Sequence, residues 1–249
     1  MSECDKNDPE CIRLRQRFDR KYPYSGLEGL ILKTSVSELK KAYLDMEMTA
    51  ELFKDRNEEK RVESVYSVSE KTETDKPHAL SGTDRGSAYH KVMELLDFTD
   101  NDIKSQINKF KNNGLILKEW GDAVSVDKIE RFLSSDIGRR MAKAQQNGTL
   151  RREQPFMLGI DANRVQSSWP SNETVLLQGI IDAFFIEDGQ IVLLDYKTDV
   201  IKNGEELMHR YSIQLDYYEE ALNRILEMPV KESVLYSFCL GEAISRPAR

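Results

Sequence analysis

The sequence predicts an α/β domain: a central mixed β-sheet flanked by helices, with a helical extension at its N-terminus. Three observations carry this reading. Residues 175–198 (VLLQGIIDAFFIEDGQIVLLDYKT) hold two apolar runs around Asp188-Gly189, the strongest short-range signal of a β-hairpin. Residues 205–227 have helical periodicity and lead into an apolar strand at 233–240, so the chain returns to the sheet after the hairpin. A helix running to about residue 96 and a helical block at 99–145 precede it.

Residues 1–30 are polar and hold a basic cluster, Arg13, Arg15, Arg17, Arg20 and Lys21, read by default as a solvated face. This start reads as an entry segment from something upstream. Ser35 and Glu38 have capping-box spacing, which predicts a helix over 36–53 with Leu39, Tyr43 and Met46 on its packing face. Residues 54–80 have few large apolar side chains and read as a linker. Thr83 or Asp84 is expected to cap a helix running to about residue 96, with Ala88, Val92, Leu95 and Leu96 as its apolar stripe. His90 on that helix leans over Gly86 and Ser87, two small residues that leave room around the imidazole.

Further helices are expected from a Thr99 cap to near residue 114, from Ser125, and from Asp136. Lys104, Lys109, Lys111, Arg139, Arg140 and Lys143 give this block basic faces, and solvated helix surface is the default reading. Residues 150–158 have strand character, and Pro155 implies an edge or a bulge. Glu153 in this stretch reads equally as a salt-bridge residue or as a member of a carboxylate cluster. In the helix at 205–227, Tyr211, Gln214, Leu215, Tyr218, Leu222 and Ile225 share a face, and Gln214 and Tyr218 are i,i+4 neighbours. Pro229 ends this helix.

Composition bounds the function. The chain has 249 residues and a formal net charge of -7, which argues against gripping nucleic acid with the whole surface. No apolar run reaches membrane-spanning length, the N-terminus is unlike a signal peptide, and the 3 cysteines are too few for a disulfide framework or a structural zinc site. A cytoplasmic location and no membrane partner are expected.

The hairpin carries the chemistry. With Asp188 and Gly189 as the central turn residues, Glu187 faces Gln190, and the register sets Asp182 opposite Asp195, Cβ atoms about 4.5–5.5 Å apart. Lys197 projects from the same face. Leu176, Ile180, Phe184, Ile191 and Leu193 share that face, and Leu177, Ile181, Phe185, Val192 and Leu194 form the other, so the hairpin reads as covered on both sides. Like charges there are unfavourable alone, and a hard divalent cation reverses the sign. On this reading Asp195→Ala abolishes catalysis and leaves a fold that gains stability as the like-charge pair is relieved. Two carboxylates and a lysine around Mg²⁺ or Mn²⁺ suit phosphodiester hydrolysis. Lys197 takes a positioning and electrostatic role first, because burial would lower its pKa while the aspartates would raise it.

The series GSAYH (Gly86–His90), REQPF (Arg152–Phe156), GIID (Gly179–Asp182), DYK (Asp195–Lys197) and QLDYY (Gln214–Tyr218) resembles the motifs of the PD-(D/E)XK nucleases. More closely, it is similar to the RecB-type nuclease domain at the C-terminus of the AddA-type chain in AddAB helicase–nucleases. The resemblance runs over most of residues 81–240, and SVSELKK resembles that family's helicase–nuclease junction. It implies a restriction-endonuclease-like core, with the chain divided into a linker segment with a helix (1–62), a flexible linker (63–80) and the nuclease domain (81–249). It implies His90, Asp182, Asp195 and the Tyr196 carbonyl as metal ligands, Lys197 as catalytic, Gln214 and Tyr218 as supports of the site and the DNA strand, and Glu153 as an auxiliary acid. The implied activity is an Mg²⁺-dependent exonuclease on single-stranded DNA, in double-strand-break repair and recombination. The implied partners are helicase domains upstream in the same parent chain and a second, AddB-like helicase–nuclease subunit.

The sequence has no GxxxxGK[ST] motif and hence no ATP site of that kind, and no four-cysteine set for an iron–sulfur cluster. Two other readings compete: a stand-alone PD-(D/E)XK endonuclease acting on duplex DNA, and a non-catalytic nuclease-like docking or DNA-binding module.

Overall fold

The hairpin forms in the register its turn dictates. Strands β3 (Thr174–Glu187) and β4 (Gln190–Lys197) are antiparallel, with pairs running from Glu187↔Gln190 to Ala183↔Leu194. Asp188 and Gly189 have φ of 51° and 76°, the two positive values that a type I′ turn requires. A computed structural model describes residues 9–19, 29–55 and 81–248. Arg20, Lys21 and the linker expected at 63–80 lie outside the described residues.

The remaining described strands are β1 (Lys33–Ser35), β2 (Leu150–Asp161), β5 (Val230–Ser237) and β6 (Glu242–Pro247). The sheet order is β1-β3-β4-β5-β6, with β2 also paired to β3. Strand β5 is parallel to β4 and β6 is antiparallel to β5, so the sheet is mixed. Helix α8 (Gly204–Leu226) makes the crossover from β4 to β5, because a parallel neighbour needs a long connection. The other helices are α1 (Pro9–Phe18), α2 (Val36–Asp55), α3 (Gly82–Leu95), α4 (Ile103–Asn112), α5 (Lys118–Ala123), α6 (Val126–Ser134) and α7 (Asp136–Gln146).

The chain forms two compact units, residues 1–34 with 159–177 and residues 35–158 with 178–249. In the first, Ala162 N–H donates to the Glu173 carbonyl at 2.8 Å and Leu176 N–H to the Leu32 carbonyl at 2.9 Å. Cys11, on α1, is disulfide-bonded, and Cys239 is a free thiol. The second unit holds the main core. Ala183, Phe185, Val192, Leu194 and Tyr196 pack with apolar residues of α3, α4, α6 and α7, and Phe132 is its aromatic hub, edge-on to Tyr236 at 4.7 Å. Helix α8 packs against β5 and α2.

Several local expectations are corrected. The cap of α3 is Ser81, whose hydroxyl accepts from Asp84 N–H while Asp84 bonds back to Ser81; Asp84 is the box partner and not the cap. Helix α4 starts at an Asp102 cap, because Thr99 is engaged in its own turn, with N–H and hydroxyl both on Asp97 Oδ1. On α2 the Ser35–Glu38 capping box forms as expected. Tyr43 and Met46 are exposed, however, since this helix leans inward through Val36 and Leu39. Ile225 is exposed in the last turn of α8. Only one hairpin face is covered throughout: Leu176 and Ile180 on the aspartate face are 42% and 52% exposed. Ile180 borders an open groove with Pro155, Phe156 and Met157. Strand β6 is an addition to the expected elements; its alternation of exposed and half-buried residues gives little apolar signal.

Candidate active site

The ladder between β3 and β4 stops at Ala183↔Leu194, one step before the two aspartates. There Asp182 replaces a backbone acceptor: its Oδ2 accepts from Tyr196 N–H at 2.7 Å. Its Oδ1 lies 3.2 Å from His90 Nδ1 on α3. Gly86 lets α3 come close to the end of β4, since a Cβ there would sit 3.3 Å from Thr198 Oγ1. Burial opposes charge on Asp182, but the His90 hydrogen bond, the charges of His90 and Lys197, and the Tyr196 amide outweigh it, and the carboxyl is held below its ordinary value. On His90 burial favours the neutral ring, yet pairing with Asp182 prevails and raises its pKa.

Asp195 is fully buried and has different partners. Its Oδ1 accepts from Gln214 Nε2 of α8 at 2.9 Å. Its Oδ2 meets the Lys197 ammonium in a buried ion pair. Burial pushes the Asp195 carboxyl above its usual range, although Lys197 pulls the other way. Gln214 Nε2 also donates to Tyr218 Oη at 2.9 Å, so one amide group serves two acceptors and the phenol keeps its own O–H to donate. Tyr218 is set in place by Phe156, whose ring meets it edge-on at 5.7 Å. Gly179 allows this arrangement, since a Cβ there would stand 2.6 Å from the Phe156 ring.

Glu153 is delivered by an irregularity in β2. It has φ of 45°, a left-handed conformation that a non-glycine residue adopts at a cost of order 1 kcal/mol. Its neighbour Arg152 reaches back to the Met93 and Leu96 carbonyls at the end of α3 and stacks over Phe98 at 5.2 Å. Glu153 thereby faces His90 and Asp182, and burial followed by the Asp182 charge pushes its carboxyl up to about 7. Between the two readings open for Glu153, the geometry favours the acidic cluster, and no cation lies within 4.0 Å of it among the described residues.

His90, Glu153 and Asp182 bring one ligand atom each to within 4.8 Å of one another. An imidazole and two carboxylates form a donor set that fits a divalent cation. The structure thus brings His90, Asp182, Asp195, Lys197, Gln214 and Tyr218 into one region, and Tyr196 joins it through its amide. Alongside lies an open cleft of about 950 Å³, bordered by His90, Glu153, Trp120 and Lys40. Two contributors escape a reading of the sequence for site residues. Tyr211 stands three residues before Gln214 on the same helix face and donates to Asp199 Oδ2 at 2.8 Å. Lys40 comes from α2 and lies over the Tyr211 ring.

The chain matches the PD-(D/E)XK nuclease superfamily over residues 60–245. It is 37% identical over 204 residues to an ATP-dependent helicase/nuclease subunit of Lachnoclostridium phytofermentans, covering 66% of this chain and 15% of that protein. It is 35% identical over 257 residues to the protein of the same name from Clostridium perfringens, covering 97% of this chain and 20% of that one. A Clostridium botulinum protein of that name is 36% identical over 239 residues, 92% of this chain and 18% of its own length. The chain therefore spans a fifth or less of these curated relatives. The motif order, the mixed sheet with its flanking helices and this match agree, and the chain belongs to the PD-(D/E)XK nuclease superfamily.

Proposed function

We propose that this chain is the nuclease domain of a helicase–nuclease and hydrolyses phosphodiester bonds in single-stranded DNA ends, as an exonuclease supplied by helicase domains upstream in the same parent chain. The observation that carries the reading is the buried meeting of Asp182, Asp195 and Lys197 with His90 and Gln214 at the end of one hairpin. Such a charge-rich interior is costly for a scaffold and useful for catalysis. Relatives named as ATP-dependent helicase/nuclease subunits support the helicase setting; the work it would serve is double-strand-break repair and recombination, where the partner would be a second subunit.

His90, Asp182, Asp195, the Tyr196 carbonyl and Glu153 would hold Mg²⁺ or Mn²⁺. Such an ion, when bound, supplies Lewis acidity toward water and a phosphate oxygen, and neutralises charge that develops on phosphorus. The protein's own groups do the rest. Asp195 anchors the Lys197 ammonium beneath the cleft, where it orients the attacking water and stabilises negative charge on the phosphate. Gln214 fixes the Asp195 carboxylate, and Tyr218 presents its hydroxyl to the strand. The water oxygen bonds to phosphorus, one phosphorus–oxygen ester bond breaks, and the proton lost by water leaves with the departing alkoxide oxygen.

The test is degradation of end-labelled single-stranded DNA with Mg²⁺ or Mn²⁺. Cleavage that EDTA and Lys197→Ala both abolish supports the reading. Absence of cleavage, together with absence of metal binding that Asp182→Ala would remove, overturns it.

A further inference from the structure

Lys40 stands outside the superfamily match, which starts at residue 60, yet it borders the active-site cleft. Its Nζ is 4.1 Å from the centre of the Tyr211 ring, and the Nζ of Lys197 is 4.4 Å from the same ring. Two ammonium groups thus share one aromatic side chain. That ring offers each a cation–π contact but cannot neutralise either. The nearby carboxylates are already engaged: Asp195 by Lys197 and Gln214, Asp199 by Tyr211 and by Arg210 at 3.7 Å. Among the described residues no carboxylate lies within 4.0 Å of Lys40. Burial and then the Lys197 charge lower the pKa of Lys40, while the charges of Asp195 and Asp199 pull the other way.

The placement of Lys40 is fixed by the fold. The Ser35–Glu38 capping box starts α2, and Val36 and Leu39 are buried, so the first turns of the helix are anchored where Lys40 leaves it. Helix α2 packs on α8, the helix that carries Tyr211, Gln214 and Tyr218. Lys197 is only 8% exposed, whereas Lys40 opens to the cleft. A ligand in the cleft can therefore touch Lys40, while Lys197 does not border it.

We propose that Lys40 binds a backbone phosphate of the substrate strand next to the scissile one, which makes α2 a working part of the active site. The inference rests on the nuclease reading above. A phosphate at Lys40 pairs directly with its ammonium and relieves repulsion between the two lysines. It also fixes the strand relative to Lys197, which cannot reach out of its buried position.

The experiment compares the full 249-residue chain with Lys40→Met, which keeps the apolar stem, and Lys40→Arg, which keeps the charge. Binding of a fluorescent single-stranded oligonucleotide is followed by anisotropy across a KCl series with Ca²⁺ present, and cleavage kinetics are measured in Mn²⁺. Lys40→Met is expected to bind about tenfold more weakly and to flatten the slope of log K against log salt by about 0.7, the value for one phosphate contact on a single strand. Its KM rises in step, and Lys40→Arg restores both slope and KM. A wild-type slope and KM in a folded Lys40→Met protein overturn the assignment while leaving the nuclease reading intact. A wild-type chain that neither binds nor cleaves the oligonucleotide overturns both.

Discussion

Removing Asp195 should destabilise the protein, and the structure shows why. Taken alone, the hairpin register suggests relief of a like-charge pair, but each aspartate has its own partner: His90 for Asp182 and the Lys197 ammonium for Asp195. Asp195→Ala leaves an ammonium that is only 8% exposed without its carboxylate, and it strips one acceptor from Gln214. Breaking a buried pair by removing one partner costs about 3–5 kcal/mol, more than the repulsion relieved. The remaining Asp182 charge and the Tyr211 ring soften the loss, so about 2–4 kcal/mol is expected. Asp195→Ala/Lys197→Met removes both charges and should cost less than Asp195→Ala alone, with a coupling energy of about 2 kcal/mol. Urea unfolding of the wild type, both single variants and the double variant, all in EDTA, measures this cycle. An Asp195→Ala protein as stable as wild type, with no coupling to Lys197, would refute the buried-pair account and restore the like-charge one.

Other perturbations test other parts of the molecule. Arg140 hydrogen-bonds Glu187 through two nitrogens and holds its carboxyl down to about 2. The stabilisation from this depressed pKa is complete above the ordinary value of 4.5 and is lost as pH falls through about 2. Glu187→Gln should therefore be less stable than wild type at pH 6 and equal to it near pH 2, by about 1 kcal/mol once solvent screening of this partly exposed group is included, as thermal melts across pH would show. Gly179→Ala would drive a methyl against the Phe156 ring, costing about 1–3 kcal/mol in urea unfolding and displacing Tyr218, so that cleavage falls as well. Phe132→Ala should cost about 3–5 kcal/mol in the same measurement, because this fully buried ring meets Phe98, Tyr196, Tyr236 and Phe238.

What was legible in the sequence is what short-range chemistry decides. Asp188-Gly189 fixes the turn type, the turn fixes the register, and the register brings Asp182 and Asp195 to the same end of the hairpin. The i,i+4 spacing of Gln214 and Tyr218 likewise became a hydrogen bond at 2.9 Å. The sequence could not show that the ladder ends before the aspartates and that Asp182 takes the Tyr196 amide instead. Nor could it show the positive φ of Glu153, which no glycine or asparagine announces. Its neighbour Arg152 is tied to the end of α3, a contact between distant segments that local spacing does not reveal.

The same distinction explains why the two halves of the site differ in how plainly the sequence shows them. The Lys197 half is written in one hairpin and one helix, so local spacing reveals it. The Lys40 half depends on how α2 lies against α8, and a lysine on a charged helix has no local mark that separates it from solvated surface. Charge counting works against it too: in a chain with a net charge of -7, the charge of one lysine disappears in the total. Its significance lies in its position beside Tyr211 and Lys197, where a neighbouring cation makes an arriving phosphate more favourable. An acidic protein can thus hold a polyanion by placing a few cations where the carboxylates are already occupied.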